Sequence, residues 1–221
     1  MRNYAFLPLY FLLSLLIYKK EEDISMMYQN FDGGYIEVVC GPMFAGKTEE
    51  LIRRIKRLEY ARIKYLVFKP KIDDRYGDDV IKSHNKNEKA AINIENAKEI
   101  YTHLKDRDVE VIIVDEAQFF DDALPEVVDD LADKGYRVIV GGLDRNFRGE
   151  PFGPMPYILA LAEVVTKLTA ICQVSGKPAT RTQRIINGKP ANFNDPIVLI
   201  DAEESYEPRS RNKHLVPGKK Q

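Results

Sequence analysis

Four residues of one octet carry the clearest chemistry in this 221-residue chain: Gly41, Gly46, Lys47 and Thr48, spaced as G-x-x-x-x-G-K-[ST]. These types at this spacing suit an anion. The glycines let backbone N–H groups converge, and a helix starting there adds the positive end of its dipole. Lys47 can reach the β- and γ-phosphates of a nucleotide, and Thr48 can offer its hydroxyl to Mg²⁺. The whole octet, Gly41, Pro42, Met43, Phe44, Ala45, Gly46, Lys47 and Thr48, is the candidate phosphate-binding loop.

A second cluster is acidic. Residues 109–114 form an apolar run, broken once by Glu110, that predicts a buried parallel strand. It ends in Asp115 and Glu116. The carboxyl ends of parallel strands converge on a ligand crevice. Asp115 is therefore the candidate to hold Mg²⁺, directly or through water. Glu116, on the other side of the strand or turn, is the candidate to accept a proton from an attacking hydroxyl or water. Arg75, in a polar loop over 70–90 that also holds Asp73, Asp74 and Gly77, is a candidate clamp for phosphate charge in the transition state.

The elements that must position these groups follow from periodicity. Residues 35–40 and 65–68 read as strands, and Leu51, Ile52, Ile55 and Leu58 recur at helical spacing after the glycine loop. Helices are predicted over 96–106, over 122–134 with Gly135 ending it, and over 156–164. A strand over 136–140 is predicted to close at Gly141 and Gly142. Strand and helix alternate, which predicts an α/β domain with a mainly parallel sheet. After about residue 169, Pro, Gly and Asn predict a small loop-rich unit with one strand-like insert at 197–200. The expected organisation is a leader over 1–26, a nucleotide-binding domain over 27–168, the small unit over 169–215, and a frayed tail over 216–221.

Composition narrows the function. With 33 Lys+Arg against 34 Asp+Glu and a net charge of −1, no basic field exists to attract nucleic acid. Two cysteines, Cys40 and Cys172, cannot form a disulfide framework, and reduced thiols suit a cytoplasmic protein. Cys40 lies in an apolar run and reads as a small core residue. Residues 5–18 are apolar apart from Ser14 but fall short of the about 20 needed for a membrane span. They look like a signal-peptide core without an A-x-A site. The alternative, which we favour, is that Met26 or Met27 is the true start. No stable membrane partner is expected.

Four motifs occur in order: the octet at 41–48, Asp115-Glu116-Ala117-Gln118-Phe119-Phe120, Gly142-Leu143-Asp144-Arg145-Asn146-Phe147-Arg148-Gly149, and Glu204-Ser205-Tyr206-Glu207-Pro208-Arg209. Together they resemble the cytosolic-type (type II) thymidine kinases, bacterial branch, over roughly residues 27–217. The resemblance implies a P-loop, RecA-like fold with a small zinc-ribbon-like lasso unit. It also implies transfer of the γ-phosphoryl group of ATP to the 5′-hydroxyl of thymidine in deoxynucleoside salvage, with Mg²⁺, by a homotetramer. Under it Glu116 is the general base, with Arg75 flanking the reacting phosphate. Gln118 joins Lys47, Thr48 and Asp115 in the nucleotide apparatus. Met43, Phe119, Leu143, Phe147, Phe152 and Thr182 match positions around the nucleoside. Ile197, Val198, Leu199, Ile200 and Asp201 match a segment whose backbone reads the thymine edge, and Tyr206 packs over the nucleoside.

One departure stands out. The family's structural zinc is held by C-x-x-C twice. Here those positions hold Cys172, Ser175, Ser210 and Lys213. Ser and Lys do not replace thiolates as structural zinc ligands, so no zinc is predicted. Two rival functions remain at this point. Asp115-Glu116-Ala117-Gln118 also looks like the second motif of helicases, but a helicase needs two such domains and a cationic strand path. A non-catalytic nucleotide-binding module with a spoiled second unit is the other.

Overall fold

A computed structural model describes residues 31–71, 80–82, 88–105, 108–198 and 204–219. The leader, Asp73, Asp74, Arg75, Gly77, Leu199, Ile200 and Asp201 lie outside the described residues. Everything below concerns the unit Gly33–Gln221.

The centre is a six-stranded sheet in the order β5-β2-β6-β7-β1-β8, every pair parallel. Its strands are β1 (Tyr35–Cys40), β2 (Tyr65–Pro70), β5 (Ile92–Ile94), β6 (Val111–Val114), β7 (Arg137–Gly142) and β8 (Val164–Lys167). A side hairpin pairs β3 (Val80–Lys82) with β4 (Glu88–Ala90), inside the stretch expected to be loop.

Both sheet faces are apolar because successive residues point to opposite sides. Val39, Val67, Ile113 and Ile139 bury against α1 (Lys47–Tyr60), whose stripe of Leu51, Ile52, Ile55 and Leu58 matches the helical spacing read from sequence. Each such side chain contributes about 1.5–3 kcal/mol on burial. Val38, Val114, Val138 and Val140 face the other way, onto α3 (Leu124–Asp133), α4 (Met155–Leu161) and Ile100 of α2 (Glu99–Leu104). Among the described residues no helix is long and apolar enough to cross a membrane.

Several expectations are corrected. The helix foreseen over 156–164 stops at Leu161, and Val164 begins β8, pairing with Glu37. The β-branched run Val164-Val165-Thr166 favours a pleated strand over another helical turn. The helix foreseen over 96–106 is only Glu99–Leu104. Gly141 and Gly142 do not close β7 but belong to it.

The small unit holds more strand than its composition suggested. β9 (Ala170–Ile171) pairs with β10 (Pro178–Ala179). β11 (Arg181–Ile186) pairs with β12 (Lys189–Pro190) and, over six residue pairs, with β13 (Glu204–Arg209). Asn187 and Gly188 both have positive φ (50° and 74°), the two-residue turn that joins hairpin strands. Ile197 and Val198, expected in a strand, lie in a bend. Residues 216–219, read as a frayed tail, are tied down: Phe193 N–H donates to Pro217 O (2.7 Å) and Lys219 Nζ to Arg148 O (2.8 Å).

Candidate active site

The glycine loop joins β1 to α1, as the octet requires. Gly41 has φ +149°, and a Cβ there would stand 2.6 Å from Leu168 O, so only glycine fits. Gly46 caps α1 in the left-handed region, and Phe44, at φ 64°, is a strained non-glycine residue at the loop's tip. Lys47 is buried, with Nζ donating to Pro42 O at 3.0 Å inside the loop's arc. Thr48 occupies the first turn of α1. A hydroxyl here with one carboxylate nearby is a donor set that fits Mg²⁺, which takes most of its ligands from phosphate and water.

That carboxylate is Asp115, at the end of β6 and 3% exposed. β7 separates β6 from β1, so the acidic strand and the loop strand have one strand between them. Gly141 of β7 makes the room. A Cβ there would lie 3.2 Å from Asp115 Oδ1 and 2.6 Å from Leu51 Cδ1. Burial, then the neighbouring charge of Glu116, raise the Asp115 pKa. The Glu116 N–H bond to its Oδ1 (2.9 Å), Lys69 and Lys47 work in the opposite direction. A buried carboxylate held against its charge favours a cation arriving beside it.

Glu116 turns the chain. Its φ of 53° and ψ of 38° are left-handed, an arrangement that costs a non-glycine residue about 1–3 kcal/mol. The 3₁₀ turn Ala117–Phe119 follows. Gln118 explains how the strained residue is held. Its Nε2 donates to Glu116 Oε2, and its Oε1 accepts from Leu143 N–H at 2.8 Å. Gly142 leaves space for this amide, since a Cβ there would sit 2.8 Å from Gln118 Oε1. The sequence reading placed Gln118 with the nucleotide; its bonds run to Glu116 and to the end of β7.

The residues expected around the nucleoside make three separate sets of contacts. Phe119 and Phe152 meet edge to face, with centroids 5.4 Å apart. Leu143 and Phe147 are buried, and Phe147 carries the Arg184 guanidinium 4.3 Å above its ring. Thr182 Oγ1 accepts from the N–H of Met43 at 3.0 Å, joining β11 directly to the phosphate loop. Tyr206 stands opposite Arg184 across the β11–β13 ladder, and Arg184 Nε donates to its hydroxyl at 3.1 Å.

Arg184 is the residue the sequence reading missed. It is 1% exposed, and its two terminal nitrogens donate to the carbonyls of Pro196 and Ile197. One guanidinium thus joins Phe147, Tyr206 and the start of the segment at 197–201. Its spacing gave a signal, because Thr182 and Arg184 are two apart on a strand and share a face.

The former zinc positions also converge, with different chemistry. Ser210 Oγ lies 3.6 Å from Cys172 Sγ, to which it donates, and 3.4 Å from Ser175 Oγ. Burial pushes the Cys172 thiol up, but hydrogen bonds from Ser175 and Ser210 outweigh it and lower the pKa to about 6. One thiol with two hydroxyls does not fit structural zinc. Among the described residues no group of three or more His, Cys, Asp or Glu could hold a metal.

Loop, sheet order and buried carboxylate define a phosphate-loop nucleotide-binding protein of the α/β class. Among solved structures the chain is similar to the genome packaging NTPase B204 of Sulfolobus turreted icosahedral virus 2, at 18% identity over 62% of this chain and 74% of that one, TM-score 0.40. It is also similar to the ATPase DotB of Legionella pneumophila, at 13% identity over 72% of this chain and 46% of that one, TM-score 0.40. The thymidine kinase family model matches residues 34–214, and the chain belongs to that family.

Proposed function

We propose that this protein transfers the γ-phosphoryl group of ATP to the 5′-hydroxyl of thymidine, giving thymidine monophosphate and ADP. The observation that carries the reading is Glu116, strained and held by Gln118 at the end of β6, beside the buried Asp115. In this reading the 5′-oxygen bonds to the γ-phosphorus as the bond to the β-phosphate oxygen breaks, and the hydroxyl proton passes to the Glu116 carboxylate. The loop N–H groups and Lys47 grip the phosphates. Mg²⁺, held by Thr48 and Asp115, would neutralise charge on the β- and γ-oxygens. Phe119, Leu143, Phe147, Phe152, Thr182 and Tyr206 would enclose the nucleoside, and residues 197–201 would read the base. Arg75 completes the proposed set as the clamp on phosphate charge. A homotetramer in the cytoplasm is the proposed setting.

The test is ATP-dependent phosphorylation across a panel of nucleosides, with product mass measured. Thymidine as the best acceptor supports the reading. Phosphate release with no nucleoside product overturns it.

A further inference from the structure

A second concave site lies outside the groups used above. It encloses about 530 Å³, and its lining includes Arg145, Arg148, Arg181, Arg211, Lys219 and His214. No residue of the phosphate loop, and neither Asp115 nor Glu116, lines it. Among the described residues no carboxylate lines it either. Asp144, next to Arg145, does not line it; its Oδ2 is shared between Lys167 Nζ at 2.7 Å and Arg145 Nε at 3.5 Å, so one carboxylate offsets part of the cluster's charge.

Five cations around one hollow work against folding unless something compensates. Arg181 is 6% exposed, and its guanidinium is lowered from its ordinary range, first by burial and then by Arg145 and Arg211. Arg148 donates to Asp195 O at 2.9 Å, yet its Nε is buried without a hydrogen-bond partner among the described residues. His214 spends Nε2 on Phe147 O (2.7 Å), and burial, Arg181 and Lys219 oppose its protonation. Surface cations normally spread into water. Here they converge over a volume in the range of small-ligand sites, roughly 300–1,000 Å³. Planar guanidiniums are the donors that match phosphate oxygens in pairs. A nucleic-acid strand would require a continuous cationic track rather than one local hollow.

We propose that this pocket binds a small polyphosphate anion, a di- or triphosphate group, at a site separate from the phosphate loop. The placement also gives it a route to the reaction. Arg181 and Thr182 are neighbours on β11 and leave opposite faces. Arg181 lines the pocket, while Thr182 holds Met43 of the phosphate loop.

The test uses the full-length chain, with inorganic tripolyphosphate as the probe in calorimetric titration at low salt. The parent should bind two equivalents, and Lys47→Ala should keep the pocket's one. Arg211→Glu, on an exposed turn, should weaken the pocket's binding at least tenfold, and the pocket's affinity should fall as salt rises. Repeating with ATP on Lys47→Ala distinguishes the source. Equal affinity assigns the site to the phosphate chain alone, and tighter ATP binding assigns it to a nucleotide. A single equivalent in the parent overturns the proposal, as does pocket binding unaltered by both Arg211→Glu and Arg145→Gln. Arg211→Glu that changes only chain association, with no anion bound in either form, overturns it too. Loss of thymidine phosphorylation would leave these titrations unaffected, so the two readings fail separately.

Discussion

Replacing Arg184 with leucine should damage thymidine binding far more than turnover or ATP binding. Among the described residues the guanidinium donates to Pro196 O, Ile197 O and the Tyr206 hydroxyl. Losing a donor to a buried acceptor costs about 1–3 kcal/mol. Pro196 is exposed and Ile197 half-buried, so water can reach their carbonyls and the low end applies. Three acceptors at about 1 kcal/mol each give about 3 kcal/mol. Loss of the cation above Phe147 adds at most about 2 kcal/mol. In the parent this energy keeps Pro196, Ile197 and the rings of Phe147 and Tyr206 in place before a nucleoside arrives. In the variant, ordering them is charged to binding. About 3 kcal/mol corresponds to a rise of about a hundredfold in KM for thymidine. The ATP KM should move less than about threefold, since Pro196, Ile197 and Tyr206 lie outside the phosphate loop, and kcat should hold within about tenfold. Steady-state kinetics with each substrate varied, on samples with matched urea midpoints, read the split. Arg184→Lys, which keeps the charge but not the fork, should recover only part of the loss. A thymidine KM within threefold of the parent, or equal rises for both substrates, would refute the reasoning.

Glu116→Gln should bind both substrates and lose about 10²–10⁴-fold in kcat, and near-normal turnover would end the base assignment. Gly141→Ala pushes a methyl to 2.6 Å from Leu51 Cδ1 and 3.2 Å from Asp115 Oδ1. It should cost about 1–3 kcal/mol in urea unfolding and weaken ATP binding. Elemental analysis should find no zinc, and Ser175→Cys/Ser210→Cys/Lys213→Cys should take up about one metal per chain and make the melting temperature chelator-sensitive. About one zinc in the unaltered chain would overturn that reading. His214 has a folded pKa below its ordinary 6.5, so the unfolded chain binds the proton more readily. Its contribution is present above pH 6.5 and declines as pH falls below it. The urea midpoint of His214→Gln should therefore fall less steeply than the parent's between pH 7 and 5.

The nucleotide half of this protein was legible because its signals are local. The octet, the stripe on α1 and the apolar run ending at Asp115 each specify an element and its chemistry within a few residues. The small unit was not legible in the same way. β11 reads Arg-Thr-Gln-Arg-Ile-Ile, whose polar residues are buried by long-range pairing with β13, something no window along the chain detects. The Asn187-Gly188 turn was the available hairpin signal. Gly141 and Gly142 resemble a strand end, yet they are slots for Asp115 and Gln118, whose arrival from another strand the sequence does not announce.

The same long-range pairing accounts for a small unit that keeps one cysteine at the four positions where the family has a zinc-binding C-x-x-C twice. A zinc at Cys172, Ser175, Ser210 and Lys213 would have tied the turn after β9 to the end of β13. In this chain that tie is a set of hydrogen bonds, Ser210 to Cys172, Gln173 N–H to Pro208 O at 3.3 Å, and Gln183 with Leu215 at 2.8 Å in both directions. Each contributes about 0.5–1.5 kcal/mol net, whereas structural zinc contributes about 10–16 kcal/mol. The replacement is weaker but distributed, and its Gln183 bonds reach β11, the strand that holds Met43 through Thr182 and Tyr206 through Arg184. Changes that loosen β11 should therefore reach the phosphate loop and the nucleoside together. Gln183→Ala, which removes the two bonds with Leu215 and the Nε2 bond to Arg184 O (3.1 Å), should raise the KM for both substrates, the opposite of the split expected for Arg184→Leu. An effect on neither would mean that β11 is held by the β13 ladder alone.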